Sequence, residues 1–147
     1  LMTVSNLMKT DIVSVLPSDS LSCAARLLRQ HSVGALPVCD EKGSLCGILT
    51  DRDIITRGVS YDMNTAKCTV DSIMTTGVVT VSPETSVRDA ATIMAKEKIR
   101  RMPVVQNNSL VGMLALGDIA LSHGFDMEVS KAISEISERD FSVHSLS

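Results

Sequence analysis

Apolar and polar positions along this chain fall into short blocks, and the blocks occur twice in the same order. Val4–Met8 and Val70–Met74 open each series as short amphipathic segments. Ile12–Leu16 and Val78–Ser82 follow, rich in β-branched residues and closed by Pro17 and Pro83, which predicts a strand in each. Pro17-Ser18-Asp19-Ser20 and Pro83-Glu84-Thr85-Ser86 supply turn and helix-cap chemistry. Long helices are predicted over Leu21–His31 and Val87–Lys98. In the second, Val87, Ala90, Ala91, Met94 and Ala95 recur at i, i+3, i+4, i+7 and i+8, an apolar stripe along one face. Ala35–Cys39 and Leu45–Leu49 then read as a hairpin around the polar turn Asp40–Ser44. Arg101–Val105 and Leu110–Ala115 read as another around Gln106–Ser109. A further helix starts at about Asp51 and again at about Leu116. Each series is β-α-β-β-α with a lead-in segment. The fold class is α/β (α+β), two repeats packed about a pseudo-two-fold axis.

The repetition extends to individual residues. Leu7-Met8-Lys9-Thr10 returns as Ile73-Met74-Thr75-Thr76, Leu36-Pro37-Val38 as Met102-Pro103-Val104, and Gly47-Ile48-Leu49 as Gly112-Met113-Leu114. Two copies are too few for a solenoid and suit a paired arrangement with clefts where the copies meet. The predicted divisions are 1–66 for the first repeat, 67–124 for the second and 125–147 for a C-terminal helical tail. Val129, Ile133 and Ile136 lie on one helical face of that tail. A lone unit of roughly 65 residues buries too little surface to be more than marginal, so the copies are expected to support each other.

Composition narrows the function. Apolar residues make up 44% of the chain but aromatics only 2%, so the core is built from aliphatic side chains and no base-stacking platform is available. The net charge of −3 lacks the basic footprint of a nucleic-acid binder. No apolar run approaches a membrane span, and no signal-peptide pattern opens the chain. A cytoplasmic protein without nucleic-acid or membrane partners is expected. Cys23, Cys39, Cys46 and Cys68 show no C-x-x-C spacing and no nearby His. They read as reduced, half-buried thiols, with Cys39 and Cys46 facing each other across the first hairpin, and no metal is expected.

No catalytic constellation emerges. His31 and His123 fall near predicted helix ends, where the helix dipole favours them, and no nucleophile elbow, phosphate loop or metal-protease motif occurs. An enzyme is not expected. The sharper signal is Gly47-Ile48-Leu49-Thr50-Asp51-Arg52-Asp53, where a strand gives way to a helix. A hydroxyl at Thr50 and a carboxylate at Asp53 are suited to holding a ribose, the carboxylate accepting from both sugar hydroxyls. Thr-x-x-Asp ahead of an apolar helix is also a capping-box variant that satisfies backbone donors. Both readings stand at this point, and they do not exclude each other.

Taken in register and twice over, these motifs resemble a tandem of CBS domains, also called a Bateman module. The resemblance rests on Met8-Lys9-Thr10, Val13-Ser14-Val15-Leu16-Pro17, Gly34-Ala35-Leu36-Pro37-Val38 and Gly47 to Asp53. In the second copy it rests on Met74-Thr75-Thr76, Val79-Thr80-Val81-Ser82-Pro83, Arg100 to Val104 and Gly112 to Asp118. It covers roughly residues 2–124, and the chain resembles the small stand-alone CBS-pair proteins of prokaryotes. The resemblance implies a regulatory module binding an adenine nucleotide (AMP, ADP or ATP) in the clefts between repeats. The family's ribose motif, Gly-h-h-Thr/Ser-x-x-Asp with h apolar, is complete at Gly47, Thr50 and Asp53. The second copy keeps Gly112 and Asp118 but has Ala115 in place of the hydroxyl, so the Asp118 site is expected to be weaker or empty. By the same resemblance, Ile12, Val13, Ala35, Leu36 and Pro37 would flank the adenine and Arg101 would face the phosphates. A homodimer and a separately encoded regulated protein are the implied partners. Other readings are a sensor of S-adenosylmethionine or NAD(H), and a purely structural dimerisation unit.

Overall fold

The computed structural model describes residues 1–122 together with 131, 132, 135 and 136. In chain order the elements are α1 (Val4–Leu7), α2 (Leu21–His31), β1 (Ala35–Cys39), β2 (Leu45–Thr50), α3 (Asp51–Asp53), α4 (Val87–Glu97), β3 (Arg101–Gln106), β4 (Ser109–Ala115) and α5 (Leu116–Ala120). They form two compact units. The first comprises Asp11–Val78 with Asn107–Leu110. The second comprises Leu1–Thr10, Val79–Gln106 and Val111–Ser147. Each unit therefore takes its lead-in segment from the other repeat. Val70–Met74 packs in the unit built on α2 and the β1–β2 hairpin, and α1 packs in the unit built on α4.

In the first unit, the Ser20 hydroxyl caps α2 by accepting the Cys23 N–H at 3.0 Å. The helix stops at Ser32, which adopts a left-handed conformation with φ of 53°. Leu21, Ala24 and Leu28 face inward onto Val15, Leu36, Val38 and Leu49 of the strands and onto Val70 and Ile73 of the lead-in. The β1–β2 hairpin is antiparallel, with Ala35 opposite Thr50 and Val38 opposite Gly47. Beyond Val38 the register slips, so that Cys39 pairs with Leu45 and Cys46 forms a bulge. Cys39 and Cys46 are thus displaced from direct opposition, unlike the sequence expectation. All four cysteines are free thiols, and Cys39 is buried. Burial, the neighbouring Cys46 and the Asp40 carboxylate push the Cys39 thiol above its ordinary pKa.

The second unit repeats the plan. Ser86 caps α4 by accepting the Asp89 N–H at 3.0 Å, and Lys98 closes the helix with φ of 57°. All five residues of the predicted stripe are buried. The β3–β4 hairpin turns through Asn107 and Asn108, both at positive φ, the conformation a two-residue primed turn requires. Ala132 and Ile136 of the tail are helical and join this unit's core. The rest of the predicted tail face, Val129 and Ile133, lies outside the described residues, as does His123.

The strands expected over Ile12–Leu16 and Val78–Ser82 each shrink to a single parallel bridge, Val15 with Val38 and Val81 with Val104. The prolines explain why. Val15 donates to the Pro37 carbonyl and accepts from the Cys39 N–H. Extending that ladder one step either way requires an N–H from Pro37 or from Pro17, and neither has one. Pro83 and Pro103 impose the same limit on Val81.

Candidate functional site

Gly47 is where this site begins. A Cβ there would lie 2.6 Å from the Thr75 carbonyl oxygen and 3.0 Å from the Met74 sulfur. Only glycine lets the lead-in segment approach β2 closely enough for Ile48 and Thr75 to exchange backbone hydrogen bonds of 2.9 and 2.8 Å. That pairing sets the Thr75 side chain beside the start of α3.

At that point the chain leaves β2 through Thr50, in extended conformation, and enters α3. Thr50 Oγ1 accepts the Asp53 N–H at 2.9 Å, and Asp53 Oδ2 accepts the Thr50 N–H at 3.1 Å. This is the reciprocal capping box that the spacing allowed. Thr75 Oγ1 donates to the same carboxylate, at 3.3 Å from Oδ2 and 3.5 Å from Oδ1. After Asp53 the helix widens into a π-helical turn over Ile54–Gly58, which carries Arg57. The Arg57 Nε stands 4.0 Å from Asp53 Oδ1, and its Nη1 donates to the Ile73 carbonyl at 3.2 Å. Asp53 is 9% exposed and is the one buried charged side chain among the described residues.

The cap does not exhaust these groups. A carboxylate offers about four lone-pair sites, and one accepts the Thr50 N–H while Thr75 donates at the long end of the hydrogen-bond range. Thr50 uses an acceptor lone pair for the cap and keeps its hydroxyl proton to donate. The corner therefore presents an acceptor beside a donor, a match for a pair of adjacent hydroxyls.

Of the residues expected around an adenine, Ala35 is half-buried and directly opposite Thr50 in the ladder. The single bridge of Val15 with Val38 ties the segment that carries Ile12 and Val13 to β1. Ile12 and Val13 are half-buried. The Leu36 side chain is in the core at 1% exposure, and Pro37 is also buried with its carbonyl bonded to Val15.

In the second unit the homologous corner differs. Asp118 Oδ2 accepts the Ala115 N–H at 3.3 Å, but Ala115 has no hydroxyl to return the bond. Lys9 pairs with Met113 as Thr75 pairs with Ile48, by two backbone bonds of 2.9 Å. Its ammonium lies 3.9 Å from Asp118 Oδ1. The residue homologous to Arg57 is Ser122, whose hydroxyl donates to the Ile119 carbonyl at 2.8 Å. Arg101 is exposed at the start of β3 and, with Arg100, Ala115, Leu116 and Gly117, lines a cavity of about 360 Å³ in this unit. Thr75, Arg57 and Lys9 were not among the sequence candidates. The signal was present in Met8-Lys9-Thr10 against Met74-Thr75-Thr76, where the middle residue is the one that differs in charge.

The CBS domain family matches residues 4–60 and 70–122. The chain belongs to the CBS-domain family. A full-length relative is the CBS domain-containing protein YhcV of Bacillus subtilis (strain 168), 38% identical over 138 residues, covering 94% of this chain and 97% of the relative. Among solved structures, CBSX2 in complex with AMP superposes with a TM-score of 0.73 at 29% identity, covering 82% of this chain and 94% of that one. The CBS domain pair of protein MJ0100, in complex with 5-methylthioadenosine and S-adenosyl-L-methionine, gives a TM-score of 0.72 at 30% identity, again covering 82% and 94%. This chain is thus a CBS pair with the fold of pairs that hold adenosyl compounds. Among the described residues no helix is long and apolar enough to cross a membrane, and no three His, Cys, Asp or Glu side chains gather as metal ligands.

Proposed function

We propose that this CBS pair is a regulatory module that binds an adenine nucleotide through the Thr50–Asp53 corner. The observation that carries the reading is the buried Asp53 carboxylate, held on one side by Thr50 and Thr75 and still offering acceptors beside a hydroxyl donor. The ribose diol donates to Asp53, and the Thr50 hydroxyl donates to a ring or phosphate oxygen. The adenine lies along Ile12, Val13 and Ala35, while Leu36 and Pro37, with buried side chains and the Pro37 carbonyl bonded to Val15, back that surface from within. Arg101 is the proposed phosphate partner, and Asp118 is a weaker second site. AMP bound to CBSX2 and the two adenosyl compounds bound to MJ0100 support an adenosyl group as the common element.

The module acts in the cytoplasm as a homodimer, with no metal needed. Ligand shifts the balance between two of its conformations by its difference in affinity for them, and a separately encoded protein reads the outcome. The test is calorimetric titration of ligand-stripped protein with AMP, ADP, ATP, S-adenosylmethionine and NADH, beside Asp53→Ala. One adenosyl ligand per chain, lost in Asp53→Ala while the fold survives, is the expected result. S-Adenosylmethionine as the sole binder moves the assignment to a sulfonium sensor. No heat with any of them refutes the binding role and leaves a dimerisation unit.

A further inference from the structure

The two units share one plan but differ in what covers their helices. In the second unit, Ala132 and Ile136 of the tail join the core. Ile136 borders a cavity with Leu116 and Ala120, and Lys131 and Glu135 border another with Thr92 and Ala95. The tail thus lies across α4 and α5, and there Ala91, Ala95 and Leu116 are buried. Their counterparts in the first unit, Ala25, Arg29 and Asp51, are exposed, so the helices of that unit carry no such cover. Open apolar surface gathers on the same unit. Ile55 and Val59 are 61% and 55% exposed, and Leu16, Val33 and Tyr61 are exposed as well, whereas the described residues of the second unit expose Leu1 and Leu121.

Ile55 and Val59 stand on a helical segment that runs from Asp51 through the π turn into a 3-10 turn over Val59–Tyr61. Four residues span nearly one turn of a π-helix, so both side chains leave the segment on the same side. The polar groups between them are already engaged. Thr56 and Ser60 spend their hydroxyls on the Arg52 and Thr56 carbonyls, and Arg57 is turned onto Asp53 and the Ile73 carbonyl. The result is an apolar stripe with Arg52 at one end and Asp62 at the other.

We infer that this stripe is the contact face of the homodimer, docked on the same stripe of a second copy. A two-fold axis across the segment at the level of Arg57 sets Ile55 against the partner's Val59 and Arg52 beside the partner's Asp62, and symmetry repeats both contacts. The face complements itself in apolar surface and in charge, which selects a second copy over a partner of one charge sign. In the second unit the tail holds the homologous region, so that unit adds no equivalent contact. The inference rests on the homodimer in the reading above and not on its ligand.

The experiment is sedimentation equilibrium of the full chain over a concentration series, with a thermal melt of each variant to confirm its fold. Wild type should be a dimer. Ile55→Glu puts a carboxylate into the apolar contact twice over and should weaken the dimer by about a hundredfold or more. Arg52→Asp and Asp62→Lys should each weaken it by about tenfold, since symmetry doubles a rim ion pair. The double variant Arg52→Asp/Asp62→Lys restores opposite charges and should recover wild-type affinity to within about threefold. Lysine suits the left-handed backbone at position 62, as Lys98 shows with φ of 57°. Leu121→Glu, at an exposed apolar residue of the second unit, should leave the dimer unchanged. A dimer that survives Ile55→Glu overturns the inference and leaves a homodimer that associates elsewhere. Loss of the dimer in Leu121→Glu overturns its restriction to the first unit, and failed recovery in the double variant overturns the two-fold pairing. A monomeric wild type overturns both this inference and the homodimer, and leaves the stripe to a different protein.

Discussion

Gly47→Ala is the sharpest test of how this fold positions its site. The added Cβ would sit 2.6 Å from a backbone oxygen, the Thr75 carbonyl, which no side-chain rotation can relieve. The lead-in segment must move away from β2, stretching the two Ile48–Thr75 hydrogen bonds. Those bonds are worth about 1 kcal/mol each, and forcing atoms into a packed region costs about 1–3 kcal/mol. The sum is near 3 kcal/mol, allowing for partial relaxation. For a chain of this length 1 kcal/mol corresponds to about 3–4 °C in Tm, so Gly47→Ala should melt about 10 °C below wild type.

Gly112 and Gly117 supply the controls. At Gly112 the nearest atom, 2.7 Å away, is the sulfur of Met8, and the backbone oxygen of Lys9 is at 3.2 Å. A thioether can swing aside, so Gly112→Ala should cost about 1 kcal/mol. Gly117 lies in α5 with nothing within 4 Å of an added Cβ, so Ala there should be neutral or stabilising by up to about 1 kcal/mol. Thermal and urea melts of the three variants should rank Gly47, Gly112, Gly117 from most to least damaging. If Gly47→Ala melts within a degree of wild type, or Gly112→Ala is the worse of the two, the close-approach argument fails.

Thr50→Ala should lower stability by about 1 kcal/mol through the lost cap and weaken AMP at least tenfold, and Thr50→Ser should restore both. A stability loss with unchanged affinity would confine Thr50 to capping. The raised pKa of the buried Cys39 thiol gives an alkaline signature. The folded chain holds that proton more tightly than the unfolded chain, so the contribution is complete below the unfolded thiol's pKa of about 8.5 and is lost as pH rises through the folded value. Urea midpoints should fall more steeply above that pH in wild type than in Cys39→Ala, and Cys39 should be the last of the thiols to alkylate. Equal slopes would show that Cys39 ionises as freely folded as unfolded.

Much of this fold could be read from the chain because local and global signals agree. Both long helices begin at the Ser residues whose position predicted a cap, Ser20 and Ser86, and the stripe Val87 to Ala95 is buried as its period required. The hairpins fall where polar turns interrupt apolar runs. What could not be read depended on partners distant in sequence. The strand signal at Ile12–Leu16 was genuine, but Pro17 and Pro37 together leave one bridge, a fact that needs the register to be known. The slip that separates Cys39 from Cys46 is likewise a property of the pairing. The exchange of lead-in segments between repeats leaves no trace in composition, since each segment is equally apolar on one face.

That exchange also bears on how a duplicated module acquires two unequal corners. The motif from Gly47 to Asp53 supplies a carboxylate and its cap, and these are needed to start α3 whatever else they do. Asp53 and Asp118 both accept the N–H of the residue ending the preceding strand, so the carboxylate half of the capping box survives at both places. One side chain at each corner comes from the lead-in segment, Thr75 in one unit and Lys9 in the other, where its backbone is fixed by pairing; Asp53 also has Arg57 from the turn that follows α3. A substitution at that position leaves the ladder and the core unchanged but alters what the carboxylate can accept. The surroundings of the two carboxylates can thus diverge without cost to the fold, and the position of Lys9 and Thr75 is one where such divergence disturbs little else.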